Sequence, residues 1–173
     1  MDLWRRIKAS RKEQAERGVH LRDAIESDLA VFFEQQLNPT AMQMAAFTSK
    51  DPADRAAFDK QWAKMLMDAD ITIKTVLYDA HIAGHIVKYL HDGSPEVGYW
   101  FGKAFWGQGI ATEALKLFLM QVEVRPIGAR VAKDNAASIR VLEKCGFVVA
   151  GEHKGFANAR GAEIEEYIFR LEK

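Results

Sequence analysis

Two glycines, Gly107 and Gly109, separate a strand-like run from a helix-like run. Residues 97–101 are mostly aromatic or β-branched, which is typical of a strand. Beyond Gly109 the apolar residues recur with the spacing of one helix face, at Leu115, Phe118, Leu119 and Val122. A glycine turn that opens a helix can bind a phosphate group, because the first helical N–H groups lack partners and glycine allows close approach. The stretch predicts either such an anion-binding turn or an ordinary connection.

Two common phosphate-binding motifs do not fit this turn. A P-loop would continue with Gly-Lys-Ser or Gly-Lys-Thr, which does not follow these glycines. The dinucleotide fingerprint G-x-G-x-x-G would need a third glycine where Thr112 stands.

Residues 133–147 carry a second pattern, that of a capped helix followed by a strand. Asn135 is a favourable N-cap residue, and Ile139 and Leu142 share one helix face. Gly146 is placed to end the helix.

Both segments resemble parts of the GNAT N-acetyltransferase superfamily. The first is similar to its acyl-CoA pyrophosphate loop, Gln/Arg-x-x-Gly-x-Gly/Ala, with Gly109 and Ala111 at the small positions and Trp106 at the first. Trp-Gly-x-Gly-x-Ala-Thr-Glu-Ala resembles the branch that acetylates N-termini of ribosomal proteins, where an aromatic residue at that place is ordinary. The second segment, Asn-x-x-Ser-x-x-Val-Leu-Glu-Lys-x-Gly-Phe, resembles the second cofactor-side helix of the family.

The resemblance implies a mixed α/β fold, with a predominantly antiparallel central sheet and helices on both faces. In this GNAT acyl-CoA N-acyltransferase fold, the strands at residues 96–101 and 125–131 are parallel and splay apart, and the gap admits the pantetheine arm. We expect a charged N-terminal extension over residues 1–18 and the acetyltransferase domain over residues 19–173.

The resemblance also implies acetyl-CoA as cosubstrate and no metal. Backbone N–H groups of the strand end are expected to polarise the acetyl carbonyl, and Asn135 to bond the pantetheine amide or the substrate. The expected cofactor-binding residues are Trp100, Phe101, Gly107, Gln108, Gly109, Ile110, Ala111, Thr112 and Asn135.

Acyl transfer to an amine needs a neutral amine and a proton donor for the leaving thiolate. An α-amino group, with a pKa of about 8, needs less help from a base than a lysine side chain near 10.4. Glu96 is the candidate base, acting through water; alternatively it is a surface carboxylate at a strand end. Many relatives carry a tyrosine as acid near the position of Phe147, which cannot donate a proton. In the ribosomal-protein branch a serine at the Asn-x-x-Ser position is proposed for this role, so the resemblance implies Ser138 as the candidate acid; alternatively its hydroxyl bonds the local backbone.

Upstream of these segments we expect one strand and two helices. Ser27 would cap the first helix, which Asn38 and Pro39 end, and Asp51 would cap the second. Residues 40–50 lack clean periodicity. In the family these two helices form the acceptor-side wall; alternatively, their Met and Trp residues are plain core.

The remaining strands form two antiparallel pairs. Residues 71–78 and 82–90 predict a hairpin, in which Gly84 indicates a bulge or a close backbone approach. Residues 147–155 and 163–171 predict the closing pair.

Composition indicates an ordinary globular domain. The 173 residues are 49% hydrophobic and 28% charged, with 24 basic and 24 acidic residues. This balance disfavours nucleic acid or an acidic membrane as partner, while a homodimer is compatible with it.

No apolar run has the roughly 18 residues of a membrane span, and no signal-peptide core follows Met1, so a cytoplasmic location is expected. Residues 1–18 hold six basic and three acidic residues, which favours a solvated extension over a contact with RNA, ribosome or a second subunit.

Histidine and cysteine are two further residue types that could carry chemistry. His81 and His85 would stand about 13 Å apart on a strand, too far for one metal ion, and His91 falls on a loop. Cys145, the single cysteine, excludes an intramolecular disulfide and packs as a small hydrophobe, so we expect direct transfer without a thiol intermediate.

The sequence therefore predicts an acetyl-CoA-dependent N-acetyltransferase acting on a primary amine, either a protein N-terminus or a small molecule. One alternative is a non-catalytic acyl-CoA-binding module. The other is an acetyltransferase for an antibiotic, an amino sugar or a polyamine.

Overall fold

The computed structural model describes residues 17–173, so the predicted N-terminal extension lies outside the described residues except for Arg17 and Gly18. Two short 3-10 turns, Glu26–Asp28 and Lys103–Phe105, accompany five helices and seven strands. The helices are α1 (Leu29–Gln36), α2 (Pro39–Ala45), α3 (Arg55–Met67), α4 (Ile110–Gln121) and α5 (Ala136–Lys144). The strands are β1 (Val19–Asp23), β2 (Thr72–Tyr78), β3 (His81–His91), β4 (Ser94–Phe101), β5 (Ile127–Ala132), β6 (Val148–Ala157) and β7 (Ala162–Leu171).

The strands form one sheet in the order β1-β2-β3-β4-β5-β7-β6. Neighbours are antiparallel except β4 and β5, which run parallel and pair only at Glu96 and Gly128. Beyond that pair the two strands separate toward their carboxyl ends. The predicted sheet, with its splayed parallel pair, is confirmed.

Helices cover both faces of this sheet, as predicted. On one face, Leu115 and Phe118 of α4 pack with Ile127 of β5 in the larger core cluster. On the other, Phe32 of α1 and Trp62 of α3 pack against β2 and β3. Burying an apolar helix stripe on each face leaves the sheet as the shared middle layer.

The helices before β2 differ from the prediction in number and in their caps. Asn38 and Pro39 do end α1, but they also begin α2: the Asn38 side chain accepts from the Ala41 N–H at 3.1 Å, with Pro39 at the first helical position. The α3 cap is Asp54, which accepts from the Ala57 N–H at 2.9 Å, so the predicted Asp51 cap is wrong by three residues. Ser27 lies within a 3-10 turn and does not cap α1.

The prediction for Gly84 is confirmed. Ala83 is an extra residue in β3 opposite β2, because Val76 pairs with Gly84 and Leu77 with Ile82. A Cβ at Gly84 would lie 2.0 Å from the carbonyl oxygen of Trp100 in β4, so only glycine allows this approach.

Within residues 17–173, no helix combines the length and the apolar character needed to cross a membrane.

Candidate active site

The separation of β4 and β5 opens a cavity of about 620 Å³. Its walls come from β4, β5, the loop before α4 with the first turn of that helix, the length of α5 and the end of α2. Among the predicted site residues, nine line it: Trp100, Phe101, Gly107, Gly109, Ile110, Ala111, Thr112, Asn135 and Ser138. The structure therefore brings most of the predicted cofactor residues around one space. Glu96 and Gln108 are not on its wall.

The turn before α4 has the backbone shape of an anion cradle. Gly107 and Gly109 have φ of +72° and +78°, in the left-handed region that favours glycine. A Cβ at either position would point into open space, so nothing of the protein fills the turn. The helix begins at Ile110, and its first N–H groups and positive dipole end face this opening. These features fit a pyrophosphate group.

Two side chains fasten this turn to the rest of the protein. Nε1 of Trp106 donates to the carbonyl oxygen of Phe101 at 2.9 Å, which ties the turn to the end of β4. The amide of Gln108 donates to the carbonyl oxygen of Ala104 at 2.9 Å. The side chain of Gln108 thus supports the loop from behind, and any contact of this residue with a ligand would be through its backbone.

Asn135 joins α5 to α2. Its side-chain oxygen accepts from the Ser138 N–H at 3.1 Å, the predicted N-cap, and its side-chain nitrogen donates to the carbonyl oxygen of Met44 at 3.1 Å. Because both ends of this amide have partners within the protein, Asn135 positions the start of α5 at the cavity. Its predicted bond to pantetheine stays a prediction.

The Ser138 hydroxyl meets a residue that sequence reasoning missed. Oη of Tyr99 lies 2.7 Å from Oγ of Ser138 and 3.3 Å from the Ser138 carbonyl oxygen, and both residues line the cavity. Burial raises the pKa of Tyr99 to about 12, so the phenol keeps its proton at neutral pH. From the sequence, Tyr99 is only one of the aromatic residues of a strand, because no local pattern links it to Ser138, 39 positions away.

Glu96 lies at the single pairing point of β4 and β5, with its side chain 7% exposed. One carboxylate oxygen accepts from Nε of Arg130 at 3.0 Å and the other from the hydroxyl of Tyr89 at 3.2 Å. Arg130 also bonds Glu166 at 3.2 Å, which lies 3.0 Å from Nδ1 of His153. The carboxylate is therefore a buried member of a partly exposed polar chain across the sheet, and not a surface group.

Strand alternation separates Glu96 from Ser138. Side chains three residues apart on β4 point to opposite faces, so Glu96 lies on the face of α1 while Tyr99 points to α5 and Ser138. Arg130, not Glu96, reaches the cavity wall. The two proposed catalytic groups therefore approach the cleft from opposite sides of the sheet.

His85 packs among aromatic rings. The His85 ring lies 4.6 Å from that of Phe32 and 4.8 Å from that of Trp62, and its Nδ1 is buried without a hydrogen-bond partner. Burial lowers the pKa of His85 to about 3. Among residues 17–173, no three His, Cys, Asp or Glu side chains are grouped closely enough to hold a metal ion.

His85 is expected to make the fold acid-sensitive. Its pKa is lower in the folded chain than the 6.5 of an unfolded one, so its contribution to stability is complete above pH 6.5 and is lost as the pH falls toward 3. Since the residue keeps some exposed surface, the free energy of unfolding should drop by on the order of 1–2 kcal/mol between pH 7 and pH 5. Urea unfolding at both pH values should show that His85→Leu removes part of this drop, whereas His81→Leu, at an exposed position, keeps it.

Cys145 lies behind the glycine turn. Its Sγ is 3.6 Å from the carbonyl oxygen of Thr112, and burial raises the pKa of the thiol. It is not on the cavity wall. A protonated thiol outside the cleft agrees with the expectation of direct transfer.

Residues 19–148 match the protein family described as acetyltransferase (GNAT) domain. This match covers well over half of the 173 residues, and the chain belongs to that family.

Curated relatives agree with the family assignment. An uncharacterized N-acetyltransferase of Bacillus licheniformis is 31% identical over 86 residues, which are 47% of this chain and 48% of the relative. YdaF of Bacillus subtilis (strain 168), provisionally named as a ribosomal N-acetyltransferase, is 29% identical over 119 residues, 65% of each chain. The chain thus spans about half to two thirds of the length of these relatives. The predicted membership of the GNAT superfamily is confirmed, and the provisional name of YdaF agrees with the predicted resemblance to the ribosomal-protein branch.

Among solved structures, the ribosomal-protein acetyltransferase RimL in complex with coenzyme A superposes with a TM-score of 0.78. It is 18% identical, and the superposition covers 90% of this chain and 94% of RimL. At that identity the likeness establishes the fold.

Proposed function

We propose that this protein is an acetyl-CoA-dependent N-acetyltransferase that moves an acetyl group to a primary amine by direct attack in a ternary complex. The observation that carries the proposal is the cavity between β4 and β5. The left-handed glycines Gly107 and Gly109, in the turn before α4 (the α4 turn), lie on its wall. Acetyl-CoA supplies an activated thioester, and the residues around the cavity fit its parts.

The α4 turn would hold the pyrophosphate. Backbone N–H groups of residues 109–112 supply donors without a competing side chain, and the helix dipole favours the negative charge. Beyond Glu96 the edge of β4 has no pairing with β5, so its backbone groups on that side, apart from the carbonyl oxygen of Phe101, are available to bond the pantetheine amides. N–H groups near Trp100 and Phe101 would polarise the acetyl carbonyl.

The two catalytic roles remain proposals. Ser138 would donate to the leaving sulfur, since its hydroxyl lies on the cavity wall at the first turn of α5. Glu96 would accept the proton of the amine through water, because its carboxylate lies off the wall and is bonded to Arg130 and Tyr89. An acceptor with an α-amino group suits such indirect help, as it is partly neutral near pH 8.

The acceptor would enter from the side of α1, α2 and α3. A second cavity of about 190 Å³ lies there and shares Phe47 and Trp100 with the larger one. Trp62, Asp51 and Asp54 also line it. Aromatic rings and carboxylates together suit a protonated amine on an apolar stem. A protein N-terminus is the proposed acceptor, and a small-molecule amine is the alternative.

Ser138→Ala and Glu96→Gln are each expected to lower kcat by about 10- to 100-fold, because each removes a proton-transfer group. The Kd for CoA should stay within about twofold, since neither change touches the α4 turn. Steady-state thiol release and calorimetric titration measure the two quantities, and Ser94→Ala, at an exposed position of β4, is the matched control.

The same experiment separates the enzyme from a non-catalytic acyl-CoA-binding module. A module would bind CoA in all variants and release no thiol with any amine. If the wild-type protein turns over and both variants keep its rate, the assigned roles of Ser138 and Glu96 are wrong while the activity stands.

A further inference from the structure

We propose that Tyr99 is a positioning residue, whose hydroxyl donates to Oγ of Ser138 and thereby turns the serine proton into the cavity between β4 and β5. This inference rests on the proposed function, because it assigns Ser138 a donor role toward the thioester sulfur. It adds a residue that sequence patterns did not single out.

The position of Tyr99 is fixed by the sheet. Its backbone pairs with Ile86 of β3, and its ring lies 5.9 Å from that of Phe101, at 56°. The hydroxyl therefore reaches α5 from a rigid element rather than from a loop. Its 2.7 Å contact with Oγ of Ser138 has the length of a normal hydroxyl–hydroxyl hydrogen bond.

Either hydroxyl could donate in this contact, and bond length and acidity favour Tyr99 as the donor. Tyr99 has one proton, and it can donate to Oγ of Ser138 at 2.7 Å or to the Ser138 carbonyl oxygen at 3.3 Å. The first contact is shorter, and a phenol is a stronger acid than an alkyl alcohol, so the phenol is the better donor of the pair. With that bond made, the Ser138 proton cannot point at Tyr99 and is free to face the cavity.

The state of Tyr99 supports this role over a range of pH. Burial keeps its proton in place up to about pH 12, well above the range in which an amine acceptor becomes neutral. Tyr99 therefore stays a donor during turnover. No proton leaves it: the role is to orient Ser138.

The test is a double-mutant cycle on the full chain with acetyl-CoA and an amine acceptor. Tyr99→Phe keeps the ring and removes only the hydroxyl, and it should lower kcat about tenfold, as expected for losing one orienting hydrogen bond, with the KM for acetyl-CoA nearly unchanged. In the Ser138→Ala background the same change should have almost no effect, because no hydroxyl is left to orient. Tyr78→Phe, on β2 where it pairs with Val19, is the matched control and should match the wild type.

Each outcome has a distinct meaning. If Tyr99→Phe lowers kcat equally in the wild-type and Ser138→Ala backgrounds, its contribution is merely structural and the positioning role is overturned. Full activity of Tyr99→Phe would overturn it as well. A wild-type protein that binds CoA in a titration but releases no thiol with any amine would overturn the proposed function and this role with it. Thermal unfolding of each variant verifies that the fold is intact.

Discussion

Gly109→Glu is expected to abolish CoA binding, with a loss of affinity of at least about 100-fold. Gly109 has φ of +78° and caps α4, and its missing side chain leaves the turn open. A glutamate there places a carboxylate where the pyrophosphate would bind. Like charges in such contact cost several kcal/mol, and 2.7 kcal/mol already corresponds to 100-fold. Calorimetric titration with CoA measures the effect.

Backbone strain is the competing explanation for this loss, and Gly93→Glu controls for it. Gly93 has φ of +77°, also has open space around its Cβ direction, and lies in the turn between β3 and β4. Both variants should therefore lose a similar 1–2 kcal/mol of stability. Only Gly109→Glu should lose CoA. Unchanged affinity in Gly109→Glu, or an equal loss in Gly93→Glu, would show that the turn is not the phosphate site.

Arg130→Met should destabilise the fold by about 3 kcal/mol, which lowers the Tm by roughly 10 °C in a domain of this size. Arg130 bonds both Glu96 and Glu166, whose side chains are each 7% exposed. Removing the guanidinium leaves two buried carboxylates without their shared cation. An uncompensated buried charge lowers the free energy of unfolding far more than a lost surface ion pair does. Urea unfolding at pH 7 measures the loss.

A surface control sharpens this prediction. Arg170→Met breaks an exposed pair with Glu172 and should cost less than about 1 kcal/mol. Equal losses of unfolding free energy in the two variants would mean that the chain Glu96–Arg130–Glu166 does not stabilise the point where β4 and β5 pair.

Local patterns explain why much of the cleft could be predicted. The turn at Gly107 and Gly109 and the cap at Asn135 depend on backbone rules that act within a few residues, and both lie where the sequence placed them. The strand pairs also follow from residue type and spacing. The parallel pair of β4 and β5 came from the family resemblance, since no local signal encodes which strands become neighbours.

The features that the sequence did not predict have physical causes as well. Helix α2 has only seven residues, too few for a periodic pattern, and its start signal, Asn38 with Pro39, reads equally well as the end of α1. The contact of Tyr99 with Ser138 and the pairing of Glu96 with Arg130 join residues 39 and 34 positions apart. Such contacts are set by strand order and by the face of each side chain, which sequence spacing alone does not reveal.

The most direct test of the proposed function is thiol release from acetyl-CoA by the purified chain, with short peptides bearing free α-amines as acceptors and polyamines and amino sugars beside them. We predict release that depends on the acceptor, a mass increase of one acetyl group on the peptide amine, and loss of both in Gly109→Glu. Saturable CoA binding without release to any acceptor would contradict the proposal and identify the cleft as that of a non-catalytic acyl-CoA-binding module.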